Sequence, residues 1–302
     1  MNRSRKELLK PSVGRRSERA ADTPRRLARR RPTASSSAET APRSPAIPSA
    51  RLVKGSFLMM PVLSIGSLKT SGSTTLALTL AGVAAAADIP VVLIDAARDK
   101  DLVDWAAKPG RPAGCTVEIA DDEMTLERLV RAARRRGELA VIDAGDNADL
   151  IRAGARLADR ALIPVRFSPL SAYAALATDR LLQAEVGRGR RDRDWAFTAS
   201  AVTTIPSRIA RTIETMIERS ATPRLQIGLV LRAAYEAPFL HGGTLFTLAE
   251  EIAPGLDRAR AEAATLAYEI GILGQETHAA APVLPAPVRD APIYEADLAD
   301  AA

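Results

Sequence analysis

The chain has little of what several protein classes need: one cysteine, two histidines and 4% aromatic residues in 302 positions. Cys115 alone cannot close an intramolecular disulfide, which excludes a disulfide-stapled secreted domain and fits a reducing compartment. His241, His278 and Cys115 share no metal-ligand spacing, so no zinc site is expected. Two tryptophans, four tyrosines and five phenylalanines are scattered, and they make no stacking platform for single-stranded nucleic acid. The longest apolar run, Leu76 to Ala87, is too short and too rich in alanine to cross a bilayer, and Asp88 ends it. The N-terminus lacks the apolar core of a secretory signal, and Pro11, Pro24, Pro32 and Pro42 interrupt any amphipathic transit helix. No membrane partner is expected.

Charge is present but uneven. Of 42 basic and 36 acidic residues, 15 and four lie in residues 1–54, a balance of +11, which leaves the remainder at −5. Residues 1–54 combine clustered arginines with Ser, Pro and Ala and almost no large apolar side chains, so they cannot bury enough surface to offset chain entropy. They are expected to form a disordered basic arm. Residues 276–302, with Pro282, Pro285, Pro287 and Pro292 among Asp290, Glu295, Asp297 and Asp300, are expected to be a disordered Pro/Ala-rich acidic tail.

Between the two, residues 55–275 alternate short apolar runs with helical periodicity, the pattern of βα units around a parallel sheet. Strands are expected over Phe57–Ile65, Val91–Asp95, Thr116–Ile119, Leu139–Asp143, Ala161–Val165, Ala196–Ala201 and Gln226–Leu231. Helices are expected over Ser73–Ala87, Glu123–Arg136, Ala148–Leu157, Ala172–Val186, Ser207–Glu218 and Arg258–Ile270. The predicted class is α/β: a doubly wound, mostly parallel sheet of about seven strands.

The segment from Val62 to Ala81 runs from an apolar strand through small residues straight into a helix. That arrangement presents unpaired backbone N–H groups and the positive end of the helix dipole to an anion. An ordinary βα turn with Ser or Thr N-caps would read the same way, so the wider sequence has to separate the two.

Ser67-Leu68-Lys69, Gly72 and Thr74-Thr75 resemble the deviant Walker A motif of ParA/MinD-type partition ATPases. In that family a signature lysine precedes a Gly-rich loop, and Gly-Lys-Thr-Thr opens the helix. The resemblance continues in order through Pro90–Asp95, Leu102–Trp105, Leu139–Gly145, Ala158–Val165 with Ser168-Pro169-Leu170, and Arg232, Tyr235, Ala237 and Gly243–Phe246. It implies a P-loop NTPase-like fold with ATP and Mg²⁺ as cofactors. It further implies Lys69, Asp95 and Asp143 as catalytic residues, Lys69, Thr70, Ser71, Gly72, Ser73, Thr74 and Thr75 as nucleotide-binding residues, and Thr74 and Asp143 as metal ligands.

The departures are as specific as the matches. Ser73 stands where the family has its P-loop lysine, only Thr70 and Ser71 separate Lys69 from Gly72, and Ala97 replaces the second aspartate of the motif after the second strand. A phosphate site without its main cation, and a switch without the carboxylate that organises attacking water, imply impaired hydrolysis. The stretch around Ser200, where the family often reads adenine with an asparagine, leaves base recognition unassigned.

Clustered arginines on a flexible chain suit sequence-blind, salt-dependent contact with duplex DNA. Arg25, Arg26, Arg29, Arg30 and Arg31 of the arm are candidates for it. By the resemblance, so are Arg190 and Arg191, in a cluster with Arg188 and Arg193, and Arg208 and Arg211 near Arg219. Arg134 to Arg136 are expected to be a solvated helix end placed favourably against its dipole.

The function implied is a nucleotide-dependent, DNA-associated switch in plasmid or chromosome partition, or in conjugative DNA processing. It would be a homodimer, cytoplasmic and nucleoid-associated, working with a centromere-binding or conjugation partner. The alternative is a pseudo-ATPase that serves as a DNA-binding or adaptor scaffold without turnover. Metabolic relatives fit less well, because one cysteine cannot ligate an iron–sulfur cluster. Tyr294 alone does not make the tyrosine cluster of a regulatory kinase.

Overall fold

Residues 61–69, 71–186 and 194–274 are described by the computed structural model. The arm, the tail, the first residues of the expected Phe57–Ile65 strand and the Arg188–Arg193 cluster lie outside the described residues. Six strands, β1 (Val62–Gly66), β2 (Val91–Asp95), β3 (Cys115–Ile119), β4 (Leu139–Gly145), β5 (Arg160–Val165) and β6 (Asp194–Ala199), form one sheet. Its order is β3-β2-β4-β1-β5-β6, and every neighbouring pair is parallel. The helices are α1 (Ser73–Ala86), α2 (Asp101–Ala106), α3 (Glu123–Arg136), α4 (Ala148–Leu157), α5 (Pro169–Val186), α6 (Arg208–Glu218), α7 (Ala237–His241) and α8 (Leu256–Glu269).

A parallel sheet covered on both faces sends successive side chains into opposite cores. Leu63, Ile65, Val91, Leu93, Leu139 and Val141 enter the core closed by α1, α2 and α8. Val62, Val92, Ile94, Ala140 and Ile142 enter the one closed by α3, α4, α5 and α6. Helix α1 is buried at every position from Leu76 to Ala84, because α8 covers the side that the sheet leaves open.

Helix α7 was not among the expected elements, and two further departures depend on a distant carboxylate. The seventh strand, Gln226–Leu231, does not form, so among the described residues the sheet has six strands. Leu225 N–H donates to Phe197 O beside β6, but Ile227 N–H, next in the ladder, donates to the Glu269 carboxylate at 2.9 Å. Leu229 N–H reaches Ala199 O instead, which leaves isolated bridges at Arg224 and Val230. Helix α2, absent from the predicted elements, has no local side-chain cap. Its Leu102 and Val103 amides donate to Asp95 Oδ2 at the end of β2, at 3.1 and 3.3 Å. Helix α5 begins at Pro169 rather than at Ala172, with the proline in its first turn, where a missing N–H costs nothing.

Helix α5 is locked to β6 through Asp179, a buried carboxylate. Trp195 Nε1 donates to it at 2.8 Å, Thr222 Oγ1 at 2.6 Å, Ser220 Oγ at 3.2 Å and Gln183 Nε2 at 2.9 Å. Replacing Asp179 by Ala orphans a part-buried indole N–H and a buried hydroxyl, and is expected to cost about 2 kcal/mol. Urea unfolding followed by tryptophan emission measures this, and an unchanged midpoint would refute the keystone role.

Candidate functional site

Strands β1 and β4 are neighbours, yet α1 leaves the first toward one face and α4 leaves the second toward the other. A crevice opens beyond the carboxyl ends of such strands. The loop from Ser67 to Gly72 bridges it. Gly72 holds φ +87°, a backbone that favours glycine, and occupies the N-cap of α1 without a side-chain cap. No acidic residue lies in the first turn of α1, so its leading amides and dipole remain available to an anion.

The ordinary-turn alternative would use a Ser or Thr hydroxyl as that cap. Instead, Thr74 Oγ1 donates to Asp143 Oδ2 at 2.6 Å, and the Ser73 hydroxyl also bonds this carboxylate.

The loop is held from several sides. Ser67 N–H donates to Gly145 O at 3.0 Å, Leu68 N–H to Thr178 Oγ1 at 3.0 Å, and Ser200 Oγ to Ser71 O at 2.7 Å. Ser71 Oγ also lies 3.0 Å from Ser171 Oγ. Sequence reasoning misses Ser171 and Thr178 as members of the site, and it reaches Ser200 only as part of the stretch left unassigned for base recognition. The signal that could have found two of them is position: Ser171 and Ser200 follow the ends of β5 and β6, the strands beyond β1.

Asp95 and Asp143 stand opposite each other in register on β2 and β4, both fully buried. Burial pushes the Asp143 carboxyl up to about 6, against the opposing pull of Thr74, the Gly145 amide and Ser73. Burial also raises Asp95, although it accepts Ala97 N–H at 3.2 Å as well as the two α2 amides. Only Asp143 contacts the first turn of α1, while Asp95 serves as the cap of α2. Ala97 packs against Gly145 so closely that a Cβ added at Gly145, itself at φ +56°, would lie 2.9 Å from Ala97 Cα.

Lys69 is exposed and lines a groove of about 380 Å³ with Asp146, Arg166, Ser168, Leu170 and Ser171. Thr75 follows in the first turn of α1, half-buried, and Thr70 lies outside the described residues. Arg208 and Arg211 are exposed on α6. Arg25, Arg26, Arg29, Arg30, Arg31, Arg190 and Arg191 lie outside the described residues. Arg134 is more than a solvated helix end, since it bonds Leu157 O and Asp159 Oδ1, both at 3.1 Å.

The donor set fits a phosphate-bearing ligand through uncapped amides and a lysine. Ser67 Oγ adds a buried hydroxyl without a partner among the described residues, the kind of atom a bound group satisfies. Thr74 and Asp143 offer the hard oxygen donors that suit Mg²⁺. Among the described residues no cluster of three or more His, Cys, Asp or Glu could hold a metal, so such an ion would need the ligand's own oxygens. No helix among them is long and apolar enough to cross a membrane.

The raised Asp143 carboxyl makes stability depend on pH. The folded protein holds this proton more tightly than the unfolded chain, whose value is near 3.8. The group's contribution to stability is therefore greatest below about pH 4 and falls as pH rises through about 6. Asp143→Asn is expected to gain on the parent by about 2 kcal/mol between pH 4.5 and pH 7. Urea midpoints across that range measure it, and a constant difference would contradict the assignment.

No family model and no curated protein matches the chain. Solved structures do. An ATP complex of a Cyanothece McdA variant aligns with a TM-score of 0.55 at 17% identity, over 72% of this chain and 98% of that one. The MinD cell division protein of Aquifex aeolicus aligns at 0.52 and 17%, over 68% and 96%. A ParA family ATPase of Chlorobium tepidum aligns at 0.50 and 14%, over 69% and 98%. At these identities the likeness speaks of architecture, and the architecture of residues 61–274 is the ParA/MinD-type α/β fold.

Proposed function

We propose that the chain is a ParA-like nucleotide-dependent switch, associated with DNA, that serves plasmid or chromosome partition or conjugative DNA processing with impaired ATP hydrolysis. The observation that carries this reading is the Thr74–Asp143 hydrogen bond beneath the uncapped N-terminus of α1, at the crevice between β1 and β4. The α1 amides and Lys69 bind and orient the phosphates. Thr74 and Asp143 hold Mg²⁺, which when bound neutralises phosphate charge. By the family resemblance, nucleotide closes a homodimer, and a centromere-binding or conjugation partner resets it. Arg208 and Arg211 on α6, together with the arm, bind the DNA backbone.

A second reading, a pseudo-ATPase scaffold, is favoured by the surroundings of Asp95 and Ala97. Both Asp95 oxygens accept backbone amides, and Ala97 lies packed on Gly145 with no carboxylate to orient water.

Calorimetric titration of the full chain with ATP and Mg²⁺ separates the two. Micromolar affinity with measurable phosphate release refutes the scaffold, and no binding at millimolar ATP refutes the switch. Deleting residues 1–54 is expected to weaken duplex binding and flatten its dependence on salt. A gel-shift series with an unchanged slope would remove the arm from the interface.

A further inference from the structure

The groove beside the loop holds two cations that the described fold leaves unused. Lys69 and Arg166, the first residue beyond β5, are both exposed, and among the described residues neither head group enters an ion pair or hydrogen bond. Asp146 lines the same groove and pairs with neither.

The backbones beneath these two side chains are joined. Arg166 N–H donates to Ser171 Oγ at 2.9 Å, the Ser171 and Ser71 hydroxyls lie 3.0 Å apart, and Ser71 Oγ donates to Lys69 O at 3.1 Å. Ser71 has one hydroxyl proton, committed to Lys69 O, so the proton between the two serines comes from Ser171. All three hydrogen bonds therefore point from Arg166 toward Lys69. A chain of bonds aligned in one direction polarises along its length and fixes the two backbone positions relative to each other. The result is a pair of unneutralised cations at one groove, set by a serine pair beside the N-terminus of α1.

We propose that Lys69 and Arg166 together bind the terminal phosphates of a nucleoside polyphosphate, Arg166 supplying from within the same chain the positive charge that Ser73 does not. This rests on reading the crevice as a nucleotide site. A guanidinium suits the role because its planar fork meets two phosphate oxygens at once, whereas an ammonium acts as a point charge. The end of β5, next to β1 in the sheet, brings this group to the loop from the side opposite β4.

The test compares the full-length parent with Arg166→Ala, Arg166→Lys and the control Arg180→Ala, an exposed arginine on α5. Each is titrated calorimetrically with ATP and, separately, with tripolyphosphate, both with Mg²⁺, and thermal unfolding verifies the fold. Arg166→Ala is expected to weaken both ligands by about tenfold or more, with Arg166→Lys intermediate and Arg180→Ala unchanged. ATP affinity equal to that of the parent in Arg166→Ala would overturn the proposal while leaving the nucleotide site standing. An equal loss in Arg180→Ala would also overturn it, since diffuse charge would then account for the effect. Tripolyphosphate binding that depends on Arg166, without ATP binding, would keep the paired cations as a polyphosphate site and refute the nucleotide. Binding of neither ligand by the parent would overturn both.

Discussion

The hydrogen bond from Thr74 to Asp143 ties the first turn of α1 to a central strand, and the geometry of the crevice depends on it. Asp143 has no solvent to stabilise its charge, and its only compensation is local: a threonine hydroxyl, a serine hydroxyl and the amide of Gly145. Those partners come from the start of α1 and the end of β4, so satisfying one buried oxygen pair fixes where a helix begins relative to the sheet. With Gly72 at the N-cap, no side chain caps α1. The bond from Thr74 anchors the helix, and the glycine before it leaves the leading amides facing the crevice.

Two buried carboxylates show how differently this domain handles the same difficulty. Asp179 collects four donors from α5, β6 and the turn at 220–222, and acts as a structural tie. Asp143 receives fewer, lies opposite a second carboxylate, and is pushed toward its neutral form. A group whose charge is incompletely balanced by the protein is one that a cation can stabilise, which is why Asp143 rather than Asp179 is the candidate metal ligand.

Most of the sheet and the long helices were legible in the sequence, because burial on two faces imposes near-continuous apolar strands and amphipathic helices need no distant partner. Two of the elements that were not legible share one cause. Helix α2 is capped by Asp95, six residues before its first residue and on another element, and the strand expected over Gln226–Leu231 loses an amide to Glu269 at the end of α8. Sequence windows see local caps and local periodicity; they do not see a carboxylate delivered by the fold. The site divides along the same line. The family resemblance pointed to Thr74 and Asp143, which the fold brings into contact, whereas Arg166, Ser171, Thr178 and Ser200 reach the loop only because β5 and β6 lie beyond β1 in a sheet whose order differs from chain order.

Helix α1 has no solvent-facing side between Leu76 and Ala84. It cannot turn or slide without opening the core it shares with the sheet and α8, so its N-terminal amides are a wall with fixed coordinates. A ligand meeting that wall loses little freedom on the protein's side, since the ordering of those amides was completed when the chain folded. Adjustment to the ligand falls instead to long side chains at the rim, and the division is one of labour between stiffness and reach: preorganised dipoles behind, adaptable cations in front.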